Sequence, residues 1–311
     1  MIEVTDLTKC FGQKTAVDKV SFKVGRGEVL GFLGPNGAGK STTMRMITGF
    51  LSPTSGKVSI GGIDVLQSQV AARRLLGYLP ENAPVYPEMT VSGFLGFIAE
   101  VRGFTGASKR ERIDRTVESC FLVEVRHQTI GRLSKGYRQR VCFAQSILHN
   151  PDYLVMDEPT DGLDPNQKHE VRGMIREMAK NKTIILSTHI LEEVDAVCDR
   201  ALVIDSGKIV ADDTPEGLKA RSPEHGVVKL VFNSLPGSDV LQSLERLQGV
   251  RTLQVRRGRE PVVTLFPTDP VAPPMGTVTR FLCEQNIPVK SLRIQEGRIE
   301  DVFRTITTQK A

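Results

Sequence analysis

Gly34-Pro35-Asn36-Gly37-Ala38-Gly39-Lys40-Ser41 is the stretch that decides the fold of this chain. It fits G-x-x-x-x-G-K-[ST], a loop whose successive backbone N–H groups turn inward onto a phosphate. Its flanks suit that reading. The run from Glu28 to Leu33 is short, apolar and strand-like, and the run from Ser41 to Ile47 reads as a helix. The glycines let the backbone bend tightly, and the helix start adds its partial positive charge. Lys40 can reach β- and γ-phosphates, and the Ser41 hydroxyl can hold Mg²⁺. The candidate phosphate cradle is therefore Gly34, Pro35, Asn36, Gly37, Ala38, Gly39, Lys40, Ser41 and Thr42.

With 311 residues there is room for one large domain or two ordinary ones. A 40% hydrophobic and 25% charged composition is that of a soluble globular protein. No apolar run approaches the ~18 residues that cross a membrane. Ile2-Glu3-Val4 already alternates as a strand and shows no signal-peptide pattern, so a cytosolic chain is expected, any membrane role coming through a partner. The five cysteines, Cys10, Cys120, Cys142, Cys198 and Cys283, have no C-x-x-C spacing, and reduced thiols are expected. Within a net charge of +5 the tight basic cluster is Arg256-Arg257-Gly258-Arg259, with Arg251 nearby. It reads as a solvated turn between strands in preference to a lipid or nucleic-acid contact, because no aromatic residues interleave with it.

Strand-like and helix-like segments alternate to about residue 220, which predicts an α/β core with parallel strands. Residues 90–149 read as mainly helical, with Ser108 and Glu111 at capping-box spacing. After Arg221-Ser222-Pro223 the order becomes β-α-β-β-α-β with an added helix, the ferredoxin-like arrangement of a small α+β accessory domain. The expected division is 1–221 and 222–311, with a helical subdomain at about 82–150.

Three further segments carry chemistry. The apolar strand Tyr153–Asp157 ends in Asp157-Glu158. An acid at the end of such a strand can hold Mg²⁺, usually through water, and the next acid can orient or deprotonate an attacking water. Ser187-Thr188-His189 ends another buried strand and places His189 toward the γ-phosphate. Leu133-Ser134-Lys135-Gly136-Tyr137-Arg138-Gln139 precedes a helix, with Ser134 as N-cap and Gly136 leaving the backbone open to a phosphate. Two anion-binding helix starts in one chain make sense if two copies meet head to tail.

Taken together, these motifs resemble those of the ATP-binding subunits of ABC transporters, over about residues 1–220 and in that family's order and spacing. The resemblance implies a P-loop NTPase fold and a motor that binds ATP and Mg²⁺. It implies catalytic roles for Glu158, His189 and Lys40, and metal roles for Ser41, Asp157 and Glu81. Ser134 and Gly136 would contact the nucleotide of a second copy, and Asp164, in Asp161-Gly162-Leu163-Asp164, would communicate between the two sites. Phe11 falls where the family stacks an aromatic on adenine; the alternative is a strand-end core residue.

Two departures stand out. Glu81 replaces the family's usual Gln, and Lys135 and Tyr137 replace the commoner Gly and Gln of the Ser134 motif. The wording Gly77–Glu81, the accessory domain and the ending Arg298–Phe303 resemble ABC-2 type exporters of the daunorubicin-resistance, sodium-efflux and gliding-motility kinds. The implied role is a peripheral ATPase at the cytoplasmic face of the membrane. It would dimerise around two Mg·ATP and drive a separately encoded multi-span permease, with no specific nucleic acid partner. A permease helix is expected against the segment after Glu81, where Phe94, Leu95, Phe97 and Ile98 either dock it or pack the subdomain. The rival readings are a soluble ABC ATPase with a non-transport role and an ATP-binding regulatory subunit without turnover.

Overall fold

The computed structural model describes residues 1–82 and 84–308. Two compact units are present, Met1–Thr214 and Pro215–Ala311 as bounded along the chain. In the first, β1 (Ile2–Phe11) and β2 (Lys14–Val24) form an antiparallel ribbon. Val20, Phe22 and Val24 alternate inward with Ser21 and Lys23 outward, the period-2 signature of a half-buried strand. β3 (Val29–Leu33) is buried along its whole length, and α1 (Lys40–Ile47) follows the glycine-rich loop. β4 (Ser55–Ile60) and β5 (Ile63–Asp64) join the ribbon to give a four-stranded sheet of order β2-β1-β4-β5.

After α2 (Gln69–Leu75) comes β6 (Leu76–Leu79), then α3 (Val91–Val101), α4 (Gly106–Ser119) and α5 (Lys135–Ile147). β7 (Tyr153–Asp157), α6 (Pro165–Ala179), β8 (Thr183–Thr188), α7 (Leu191–Val197), β9 (Arg200–Asp205) and β10 (Lys208–Asp213) complete the unit. A second sheet has order β10-β9-β3-β8-β7-β6, parallel throughout except for β10. Its middle strands are unbroken apolar runs because both faces are covered. One face packs on the antiparallel sheet and α1 through Leu30, Phe32, Val155, Ile185 and Leu202. The other packs on the helices through Leu79, Leu154, Met156, Ile184 and Leu186.

The expectation of parallel strands therefore describes one of the two sheets, since pairing partners are a tertiary property that alternation along the chain does not reveal. The helical segment also corrects one reading and decides between two others. α4 begins two residues ahead of Ser108, after Thr105, because Gly106 supplies a positive φ of 57° at the turn; Ser108 lies inside the helix and caps nothing. Phe94 and Leu95 are buried, with Val91 and Ala99, on the inner face of α3, so they pack the subdomain. Phe97 alone of the four is exposed, and Ile98 is half-buried.

The second unit holds α8 (Pro215–Ala220), β11 (Val227–Val231), α9 (Ser238–Glu245), β12 (Val250–Arg256), β13 (Val262–Pro267), α10 (Met275–Glu284), β14 (Ser291–Gln295) and α11 (Ile299–Thr308). Its sheet runs β12-β13-β11-β14, antiparallel throughout, which is the ferredoxin-like order. Val228, Leu230, Val263 and Leu265 face Leu244 of α9 and Val278 and Leu282 of α10. Arg257, Gly258 and Arg259 form the exposed turn between β12 and β13.

One half-buried titratable group ties the segment just after α5 to the parallel sheet. His149 Nε2–H donates to the Leu76 carbonyl at 3.0 Å, and Nδ1 has no hydrogen-bond partner among the described residues. Burial, reinforced by the Arg102 charge, pushes the imidazole down from 6.5 to about 4. The folded protein therefore keeps His149 neutral where the unfolded chain protonates it. This contribution to stability is complete above pH 6.5 and is lost as the pH falls to about 4. It amounts to at most about 3 kcal/mol. Urea titrations of His149→Gln across that range should show a flatter loss of stability with acid than the parent protein.

Candidate functional site

The chemistry-bearing residues meet because the parallel strands end in register. Leu33 of β3 lies opposite Thr188 of β8, and Asp157 of β7 lies opposite Ser187 of β8. The glycine-rich loop, the Asp157-Glu158 pair and the Ser187-Thr188-His189 segment therefore emerge at one edge of one sheet, the carboxyl ends of its strands. In open α/β sheets that edge is where ligands bind.

A cleft of about 670 Å³ opens there, lined by Phe11, Lys14, Ala16, Asn36, Gly37, Gly39, Lys40, Ser41, Thr42, Glu81, Glu158, Asp161 and His189. The loop is built for close approach to a ligand. Gly37 has φ 82° with open space beside it, and Gly39 has φ 108°. A Cβ on Gly34 would lie 2.5 Å from the Ile204 carbonyl, and one on Gly39 would lie 2.6 Å from that of Ala16. α1 then starts at Lys40 with no side-chain cap, leaving its first N–H groups for an anion. Gly34, Pro35 and Ala38 shape the turn from behind: the Ala38 N–H donates to the Pro35 carbonyl at 3.2 Å.

Lys40 is buried, and its ammonium donates to the Gly34 carbonyl at 2.7 Å and the Pro35 carbonyl at 3.3 Å. The same Nζ lies 3.7 Å from Glu158 Oε1. Glu158 is itself buried, at φ 51°. A non-glycine residue held in that region stores backbone strain of order 1 kcal/mol, and such strain gathers at functional sites. The position is fixed by its N–H, which donates to the Ser187 carbonyl at 3.1 Å. His189 Nδ1–H donates to Glu158 Oε2 at 2.9 Å. The carboxylate thus stands between the Lys40 ammonium and the His189 imidazole.

Asp157 lies beneath the cleft and not in its lining, 1% exposed. Ser41 Oγ–H donates to its Oδ1 at 3.2 Å, and the Ser187 hydroxyl donates to the same oxygen. Burial, with the nearby Asp157 charge adding to it, pushes the Tyr78 phenol up to about 12. Phe11 stands half-exposed at the end of β1 and lines the cleft, so it is not a core residue. Glu81 reaches the cleft from just after β6.

Ser134, Gly136 and Asp164 are placed elsewhere. Ser134 caps α5 by accepting the Tyr137 N–H at 3.3 Å, and Asp164 caps α6 by accepting the Gln167 N–H at 2.9 Å. None of the three lines the cleft. The Ser134 motif is tied to the segment after Glu158: Gln139 Nε2–H donates to the Pro159 carbonyl at 3.4 Å, and the Lys135 ammonium lies 3.5 Å from Asp161. Sequence reasoning missed Lys14, Ala16 and Asp161 as lining residues and gave Ser187 no role. A hydroxyl two residues before His189, near the end of an apolar strand, was the available sign for Ser187; Lys14 and Ala16 carry none.

A glycine cradle at a helix start, a buried lysine and a strand-end carboxylate pair define a P-loop nucleotide-binding protein. The comparisons are more specific. The ABC transporter family model matches residues 17–161. The probable multidrug ABC transporter ATP-binding protein YbhF of Escherichia coli is 41% identical over 223 residues, 71% of this chain and 38% of YbhF. The chain thus spans well under half the length of that relative. The linearmycin resistance ATP-binding protein LnrL of Bacillus subtilis is 30% identical over 311 residues, 99% of this chain and 98% of LnrL. A solved ATP-binding subunit of an ABC transporter superposes with a TM-score of 0.65 at 31% identity, covering 70% of this chain and 92% of that one. The chain belongs to the ATP-binding proteins of ABC transporters.

Gly39→Ala tests the cradle. Its Cβ would meet the Ala16 carbonyl at a φ closed to alanine, so the loop must shift. Affinity for ATP, followed with a fluorescent nucleotide analogue, should fall by about tenfold or more, since the shift would turn the loop's N–H groups away from where they could meet a phosphate.

Proposed function

We propose that this chain binds and hydrolyses Mg·ATP as the motor subunit of an ABC-2 type exporter. The observation that carries the reading is the Lys40–Glu158–His189 array, with its paired carboxylate contacts at 3.7 and 2.9 Å, beside the Ser41–Asp157 hydrogen bond. The donor set fits a metal–triphosphate. The loop offers N–H groups and a buried ammonium to phosphate oxygens. Among the described residues no cluster of three or more His, Cys, Asp or Glu is arranged to hold a metal alone. Mg²⁺ would take Ser41 directly and Asp157 through water, with Glu81 at the rim, and when bound it neutralises phosphate charge.

Glu158 accepts a proton from the water that attacks the terminal phosphorus in line with the leaving ADP oxygen. His189 steadies both Glu158 and a terminal phosphate oxygen. Lys40 offsets the charge that builds on the transferred group. Ser134, Gly136 and Asp164, which stand outside their own cleft, would act in trans, in a head-to-tail dimer that closes over two nucleotides. Phe11 would stack on the adenine. The first domain, 1–221, would be the motor, and 222–311 an accessory module.

A groove of about 550 Å³ supports a membrane partner. It is lined by Phe50, Val70, Tyr78, Pro80, Pro84 and Val101 with Arg73, Arg74 and Arg102. Phe50, Val70 and Val101 are each more than two-thirds exposed. Large apolar residues clustered in a surface groove mark an interaction site. These residues, and not Phe94 and Leu95, would receive a cytosolic helix of the permease, next to Glu81. No helix among the described residues is long and apolar enough to cross a membrane. Attachment at the cytoplasmic face would come through that partner. The daunorubicin-resistance and gliding-motility ATPases are the branch we favour, on the Gly77–Glu81 wording and the Arg298–Phe303 ending; the linearmycin-resistance relative is in keeping with drug export.

Glu158→Gln keeps the size and removes the base. Phosphate release from Mg·ATP should fall about 10²–10⁴-fold while nucleotide binding persists. An ATP-dependent dimer should then accumulate on a sizing column; turnover close to the parent's would contradict the assignment. Phe50→Asp with Val101→Asp should release the chain from membranes when it is co-expressed with its neighbouring permease. Basal hydrolysis should stay unchanged.

A further inference from the structure

Glu193 is a buried acid to which the chemistry above gives no part. It lies in the first turn of α7, as does Glu192. Glu192 is exposed and supplies the favourable charge at a helix start. Glu193 turns the other way and is 2% exposed. A carboxyl so placed is costly unless its hydrogen bonds are made.

One oxygen is used. Glu193 Oε2 accepts the Thr188 hydroxyl proton at 2.8 Å, and Thr188 Oγ1 accepts the Ile190 N–H at 3.0 Å. The Glu193 N–H donates to the Ile190 carbonyl at 3.1 Å. These three bonds tie together the residues on either side of His189. The other oxygen, Oε1, has no hydrogen-bond partner among the described residues. Burial raises the carboxyl above its ordinary range, which the Thr188 hydroxyl and the charges of Arg172 and Lys168 oppose and Glu158 reinforces.

His189 needs such a tie. It follows directly on the end of β8, and its side chain is 45% exposed. Its contacts toward the cleft are two, both to Glu158 Oε2: Nδ1–H at 2.9 Å and the backbone N–H at 3.4 Å. An exposed ring beyond a strand end meets Glu158 only while the backbone that carries it is held in place.

We propose that Glu193 is a positioning residue of the hydrolytic centre, fixing the 188–190 turn through the Thr188 hydroxyl and so holding His189 against Glu158. The proposal rests on the ATPase reading above. It differs from a packing role in one respect: what matters is a hydrogen-bond acceptor facing Thr188, not the volume or charge of the side chain.

The test uses Thr188→Val, Thr188→Ser, Glu193→Leu, Glu193→Gln and the Thr188→Val/Glu193→Leu double variant of the full chain. Two quantities are read: steady-state phosphate release from Mg·ATP, and the ring C–H resonance of His189 in the nucleotide-free protein, assigned by its absence from His189→Asn. Thr188→Val and Glu193→Leu should each lower kcat by about tenfold or more with KM for ATP within about twofold, the pattern of a lost interaction in the hydrolytic step. Both should shift or broaden the His189 resonance. Thr188→Ser and Glu193→Gln should stay within about threefold of the parent and leave the resonance in place. The double variant should be no slower than the worse single one, because both remove the same tie.

The proposal is overturned if Thr188→Val, folded with the parent's thermal midpoint, keeps full kcat and an unmoved resonance. It is also overturned if Glu193→Gln is as damaging as Glu193→Leu. A parent protein that releases no phosphate would sink the ATPase reading instead, and the resonance would still decide whether Glu193 sets the ring.

Discussion

The register between three parallel strands is the constraint on which everything else depends. β8 is the ruler: Thr188 sits beside Leu33 and Ser187 beside Asp157. A slip of one residue would move each strand-end group by about 3.3 Å and turn its side chain to the opposite face. It would part Lys40 from Glu158 and Ser41 from Asp157. The register is secured by burial, since β3 and β8 have no exposed residue; Leu30, Phe32 and Ile185 pack in one core and Val29, Ile184 and Leu186 in the other. The hydrophobic layers above and below the sheet thus hold the polar groups at its edge in position.

That edge concentrates charge in a small volume. Lys40 and Glu158 are both buried, and Asp157 lies beneath them. Buried ionisable groups are tolerated where they are paired and hydrogen-bonded, and here each has at least one partner. The arrangement also explains the left-handed backbone at Glu158. With the strand ending at Asp157, a positive φ at the next residue turns the chain so that consecutive carboxylates take different duties. Asp157 turns down to Ser41 and Ser187, and Glu158 turns across to Lys40 and His189.

Much of this site was legible in the sequence because its motifs are local. The glycine loop, Asp157-Glu158 and Ser187-Thr188-His189 each carry strand, turn and functional group within a few residues. The β-α-β-β-α-β order of the second unit was legible for the same reason, as alternation and turn residues marked every element. Pairing was not. β1, β2, β4 and β5 form an antiparallel sheet because of what they face across the core. Exposure within the helical segment was also hidden. Phe94 and Phe97 are equally apolar, and helical period alone does not say which faces inward. Phe50, Val70 and Val101 became a surface only when the turn after α1, α2 and the end of α3 were brought together. Glu193 read as one of two acids at a helix start; its burial depends on the rotation of α7 against β8.

On the reading proposed above, this edge of the sheet receives a nucleoside triphosphate with Glu158 facing its terminal phosphate. A crystal structure with Mg²⁺ and a non-hydrolysable ATP analogue measures that directly. The terminal phosphate should lie within hydrogen-bonding distance of both Lys40 and His189. Ser41 should be on the metal and a water between Glu158 and the phosphorus. A nucleotide seated elsewhere, or a terminal phosphate out of reach of both Lys40 and Glu158, would contradict it.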